Sequence, residues 1–118
     1  MKIKVILNKG LKTCCKTYPS DMVRNAMNSW FKEDKDTEIE VIDRIETNIQ
    51  LEPLASLAEQ HFGDRIYPLI YINDKLVAIG TLPDFQTLHD MIENVDTIGI
   101  SEQDILDAVE KFKKENAV

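Results

Sequence analysis

Two short apolar runs, Leu69-Ile70-Tyr71-Ile72 and Leu76-Val77-Ala78-Ile79, stand on either side of the polar tripeptide Asn73-Asp74-Lys75. Runs rich in aliphatic and aromatic residues read as strands, and a polar tripeptide between them suits a tight turn. The segment therefore predicts an antiparallel hairpin, and with it a sheet that other elements must cover.

The rest of the chain supplies those elements. Lys2–Leu7 alternates lysine with aliphatic residues and ends near Asn8-Lys9-Gly10, which predicts a first strand running into a loop. From about Ser20, the residues Met22, Val23, Ala26, Met27, Trp30 and Phe31 recur at steps of one and four and form one helical stripe. Pro19 fits a helical first turn, where its missing N–H costs nothing, so the helix is expected to begin between Cys15 and Ser20. That places both cysteines at or just before a helix N-terminus. Residues 33–36 solvate the exit, Glu38–Asp43 reads as a second strand, and residues 45–50 form a connection.

Pro53 then opens a second helix through Leu54, Leu57, Ala58 and His61, with Gly63 placed to end it. After the hairpin and Gly80, residues 83–93 carry Phe85, Leu88, Met91 and Ile92 at helical spacing. A linker at 96–100 leads to Ser101-Glu102-Gln103-Asp104, which has the form of a capping box, and to a helix bearing Ile105, Ala108, Val109 and Phe112. The expectation is one α/β domain over residues 1–118, of order β-α-β-α-β-β-α, with 101–116 as an appended C-terminal helix.

Charge and composition narrow the partners. A net charge of -7 over 118 residues repels nucleic acid and anionic membranes, so neither is expected as a partner. The apolar run at the start is too short for a signal peptide, and no stretch approaches the roughly 18 apolar residues of a membrane span. A cytoplasmic protein is the expectation. The two cysteines are neighbours, Cys14 and Cys15, and cannot staple distant segments, so their value is chemical.

A cysteine after the first strand, a proline immediately before the third, and the run from Ile66 to Gly80 resemble the thioredoxin superfamily over roughly residues 1 to 95. Within it, Cys15-Lys16-Thr17-Tyr18-Pro19-Ser20 and Tyr67-Pro68-Leu69 look most like a family of small bacterial proteins described as disulfide oxidoreductases. The resemblance implies a thioredoxin-like mixed sheet, a cis-proline at Pro68 and a substrate groove shaped by Tyr67 and Pro68. Aligning the family's second cysteine with Cys15 puts Lys12 where its first cysteine stands. Aligning Cys14 with the first cysteine instead gives Cys14-Cys15-Lys16-Thr17, which loosely resembles the Cys-x-x-Ser of monothiol glutaredoxins. The adjacent pair is similar as well to that of a thioredoxin-like arsenic metallochaperone, without its further downstream cysteine.

The chemistry expected of the pair follows from its surroundings. Lys9, Lys12 and Lys16 give a positive local potential in an acidic chain, and with a helix N-terminus they favour thiolate over thiol. Consecutive Cα atoms lie about 3.8 Å apart whereas ordinary disulfides span roughly 4.4–6.8 Å, so a vicinal disulfide is strained. A monothiol scheme results: Cys15 attacks an external disulfide, Cys14 assists, Lys12 and Lys16 tune the charge, and a small thiol or protein disulfide is the partner. No cofactor is required, and without a third cysteine no closed zinc site is expected. Binding of a thiophilic metal or metalloid, an inactive thioredoxin-fold interaction module and a homodimer all stay open at this stage.

Overall fold

The computed structural model describes residues 1–12, 16–33 and 36–116. Along the chain, β1 (Lys2–Leu7) leads through β2 (Leu11–Lys12) and β3 (Thr17–Tyr18) to α1 (Ser20–Trp30). There follow β4 (Glu38–Asp43), α2 (Pro53–Phe62), a 3-10 turn (Gly63–Ile66), β5 (Leu69–Ile72), β6 (Lys75–Ile79), α3 (Phe85–Glu93) and α4 (Glu102–Asn116). The result is a mixed α/β fold with four α-helices among the described residues.

The main sheet has the order β4-β1-β5-β6. β1 pairs parallel with β4 and antiparallel with β5, and β6 returns antiparallel to β5. The two-residue period of an extended chain sorts its side chains onto two faces. Ile3, Val5, Leu7, Ile70 and Ile72 join Val23 and Met27 of α1, Phe31 just after it and Leu88 of α3 in one buried cluster. Ile6, Leu69, Tyr71 and Leu76 join Ala55 and Ala58 of α2 in the other. α4 sends Ile105 and Val109 into this second cluster, so the appended helix is a structural member of the domain.

Both edges of the sheet meet non-strand partners. On β4, Arg24 Nη2 of α1 donates to the Val41 carbonyl at 3.0 Å. On β6, the Ile100 N–H donates to the Leu76 carbonyl at 2.8 Å, which lays the segment before α4 along that strand. Among the described residues no helix is long and apolar enough to cross a membrane.

Several local expectations are corrected. Leu11–Lys12 and Thr17–Tyr18 form a small antiparallel pair, which two-residue strands are too short to announce as a periodic pattern. α1 begins at Ser20, the late end of the expected range: Pro19 is extended and its carbonyl accepts from the N–H groups of Met22 and Val23, so the four residues Lys16 to Pro19 separate Cys15 from the helix in sequence. On α1, Val23 and Met27 are buried but Met22 and Ala26 are exposed, because only one flank of the apolar stripe faces the sheet. The hairpin turn is the dipeptide Asn73-Asp74, both at positive φ, and Lys75 already belongs to β6. α3 starts at Phe85 rather than at Pro83, since Asp84 accepts from the Thr87 N–H and acts as its cap.

Candidate functional site

β1 and β4 run parallel and end together, and the chain leaves β1 through Asn8-Lys9-Gly10. Lys9 and Gly10 both hold positive φ, 61° and 81°. A Cβ at Gly10 would stand 2.5 Å from the Tyr18 carbonyl oxygen, so only glycine lets the chain return against β3. The two successive N–H groups of this turn point at one carboxylate, that of Asp43 at the end of β4. Lys9 N donates to Asp43 Oδ1 at 3.0 Å and Gly10 N to Oδ2 at 2.7 Å, while Ile45 N reaches Oδ1 at 3.1 Å.

Asp43 is buried. Burial by itself favours the neutral acid, but the three backbone donors outweigh it and hold the carboxyl below the usual carboxylate range. An ionised Asp43 thus fixes the turn that carries the chain toward the cysteines. In the sequence it reads as the last residue of a strand, and no local signal marks its second task.

The opposing wall comes from the 3-10 turn and the loop before β5. The Tyr67–Pro68 peptide bond is cis, and Pro68 is buried. Gly80, at a φ of 83°, donates its N–H to the carbonyls of both Ile66 and Pro68, at 2.8 and 3.0 Å. Tyr67 is held from a third direction: Arg44 Nη1 donates to its hydroxyl at 2.6 Å, and the hydroxyl donates to Glu59 Oε2 at 2.8 Å. Arg44 also pairs with Glu59 at 2.8 Å, closing a triangle. Burial pushes the Tyr67 pKa up; Arg44 pulls the other way and Glu59 reinforces the rise, so the phenol stays neutral and keeps donating.

Between these walls lies a cavity of about 370 Å³ lined by Asn8, Gly10, Lys12, Asp64, Arg65, Tyr67 and Gly80. The structure therefore brings Lys12 and Tyr67 together at one opening, as neighbours that the sequence holds far apart. Lys16 is placed differently, with its ammonium 5.3 Å from the centre of the Tyr18 ring. Pro68 is buried and does not line the cavity, and its carbonyl accepts the N–H of Gly80, which does. Cys14 and Cys15 lie outside the described residues. Asn8, Asp43, Arg44, Glu59 and Arg65 were not singled out by sequence reasoning, because each acts through a partner that only the fold supplies.

Chemically, the opening offers two exposed cations, Lys12 and Arg65, against one carboxylate, Asp64, which accepts from Asn8 Nδ2 at 3.4 Å. Such a surface favours an anionic over a neutral form of an ionisable group at its mouth. Compared with family models, curated proteins and solved structures, the chain matches none.

Proposed function

We propose that the chain is a thioredoxin-like thiol–disulfide redox protein that works by a monothiol route through Cys15. The observation that carries the reading is the cavity at the end of β1, where Lys12 from the cysteine-bearing segment faces Tyr67 from the loop before β5. The sheet order β4-β1-β5-β6, with one parallel and two antiparallel pairings and helices on both faces, is in keeping with that family's arrangement. Ligand sites of open α/β sheets also favour the carboxyl ends of parallel strands, where this cavity lies.

In this reading the Cys15 thiolate attacks one sulfur of a substrate disulfide. A bond forms between Cys15 Sγ and that sulfur, the substrate S–S bond breaks, and the second sulfur leaves as a thiolate. The thiolate of a small thiol then attacks the substrate-derived sulfur, carries it away as a new disulfide and returns Cys15 to its thiolate. In net terms one substrate sulfur is reduced to a thiolate and the small thiol's sulfur is oxidised into a disulfide with the other, so no second protein thiol is consumed. Lys12 supports the thiolate by its charge, and Tyr67, locked by Arg44 and Glu59, holds the facing wall.

The test is mass spectrometry of the folded protein after exposure to oxidised glutathione. A single glutathione adduct is expected on Cys15, retained in Cys14→Ser and lost in Cys15→Ser. An inert wild-type protein overturns the reading. Stoichiometric arsenite binding that is lost in Cys14→Ser, without any adduct, replaces it with a thiophilic binding protein.

A further inference from the structure

α4 does more than thicken the domain: with α2 and β6 it lines a second, open cavity, of about 400 Å³, different in character from the polar opening. Its lining includes Phe62, Ile66, Ile79, Ile105 and Ala108, and its two charged residues, Arg65 and Asp104, are both exposed and so stand at its mouth. A cavity of this size with an apolar floor and a few polar groups at the entrance has the make-up of a small-molecule site.

The arginine is the informative group. The chain has three, and two are engaged: Arg24 pairs with Asp21, and Arg44 pairs with Glu59. Arg65 makes neither an ion pair nor a side-chain hydrogen bond among the described residues. It is nevertheless held in place, its guanidinium 5.3 Å from the centre of the Phe112 ring, while Phe112 packs edge-on against Phe62 with ring centres 5.5 Å apart. A stacked guanidinium keeps its planar fork of N–H donors available to a carboxylate. Asp104 on the same mouth accepts the Ser101 N–H at 2.9 Å, and its charge disfavours a head group with more than one negative charge.

We infer that this cavity binds an apolar monocarboxylate, of the class of medium-chain fatty acids, with the hydrocarbon against α2, β6 and α4 and the head on Arg65. Arg65 also lines the polar opening, but occupancy of this cavity does not rest on the redox reading.

Titration calorimetry with decanoate, accompanied by amide chemical-shift mapping on the full chain, tests it. Saturable binding is expected, with shifts centred on residues 58–66, 79 and 100–108. Arg65→Gln weakens decanoate about tenfold, the size expected for one charge-assisted pair. Decylamine, with the same tail and the opposite charge, binds at least about tenfold more weakly. Ala108→Trp, at an exposed helix position that tolerates a larger side chain, fills the cavity and abolishes binding, while Tyr67→Phe at the other opening leaves it unchanged. No binding, shifts centred elsewhere, equal affinity for decylamine, or full affinity in a folded Ala108→Trp variant overturns the inference.

Discussion

The two ends of the central sheet are built on different terms. At the amino end of β1 the backbone closes on itself: the Asn73 N–H donates to the Lys2 carbonyl and Glu38 N–H to the Met1 carbonyl, each at 2.8 Å. Lys2 N–H is answered by Asn73 Oδ1 at 2.8 Å, from a two-residue turn whose positive φ values match the twist of its strands. At the carboxyl end the chain leaves the sheet at Lys9 and Gly10, and their N–H groups are satisfied by the buried Asp43 carboxylate. An end that satisfies itself needs little from the rest of the molecule. The other end recruits side chains from β4, α2 and the loop before β5, and that convergence is what makes a cavity there.

The comparison can be broken by mutation. Asp43→Ala should cost about 3–4 kcal/mol in urea unfolding, since it strips a charged acceptor from three donors at once, against about 1 kcal/mol for Asn73→Ala at the self-closed end. Equal losses would mean the two ends are equivalent. Gly10→Ala should cost about 2 kcal/mol, because the residue needs a positive φ and a methyl group there meets the Tyr18 carbonyl. A neutral result would show that the turn can shift away from the Tyr18 carbonyl.

The smallest effect sharpens the picture through pH. Asp43 has a folded pKa depressed below its unfolded value of about 3.9, so its contribution is full above that pH and is lost as pH falls through the folded value. Asp84 and Asp104, each held low by its own helix cap, titrate in the same direction. The measurement is therefore the difference between wild type and Asp43→Asn: constant at neutral pH, and narrowing below about pH 4. A difference that does not narrow in acid removes the ionised carboxylate from the account.

Much of the scaffold was legible because it rests on short-range rules. Glu38–Asp43 follows from alternation that turns apolar and Leu69–Ile72 from a short apolar run, Pro53 marks the first turn of α2, and Ser101 with Asp104 forms a reciprocal cap at α4, with Ser101 Oγ accepting the Asp104 N–H at 3.1 Å. The cavity was less legible. Lys12 and Tyr67 were named on separate grounds, and only the pairing of β1 with β5 sets their loops face to face. Asp43, Arg44 and Glu59 carry no sequence mark, since a carboxylate serving two distant N–H groups looks like any acidic residue ending a strand. The unequal flanks of α1 were hidden for a related reason: periodicity gives the stripe of Met22, Ala26 and Trp30, but not which side of it the sheet covers.

The hydrogen bonds at the two rims of the sheet bear on how copies of this chain meet. An open strand rim is a template on which a neighbour can add its own strand, the first step toward fibrils and runaway assembly. Here the Val41 carbonyl on one rim is occupied by the Arg24 guanidinium, and the Leu76 carbonyl on the other by the Ile100 N–H. An incoming strand must displace a side chain on one rim or peel back the segment leading to α4 on the other. Each rim thus has one acceptor already engaged within the chain, which raises the cost of adding a strand at Val41 and at Leu76.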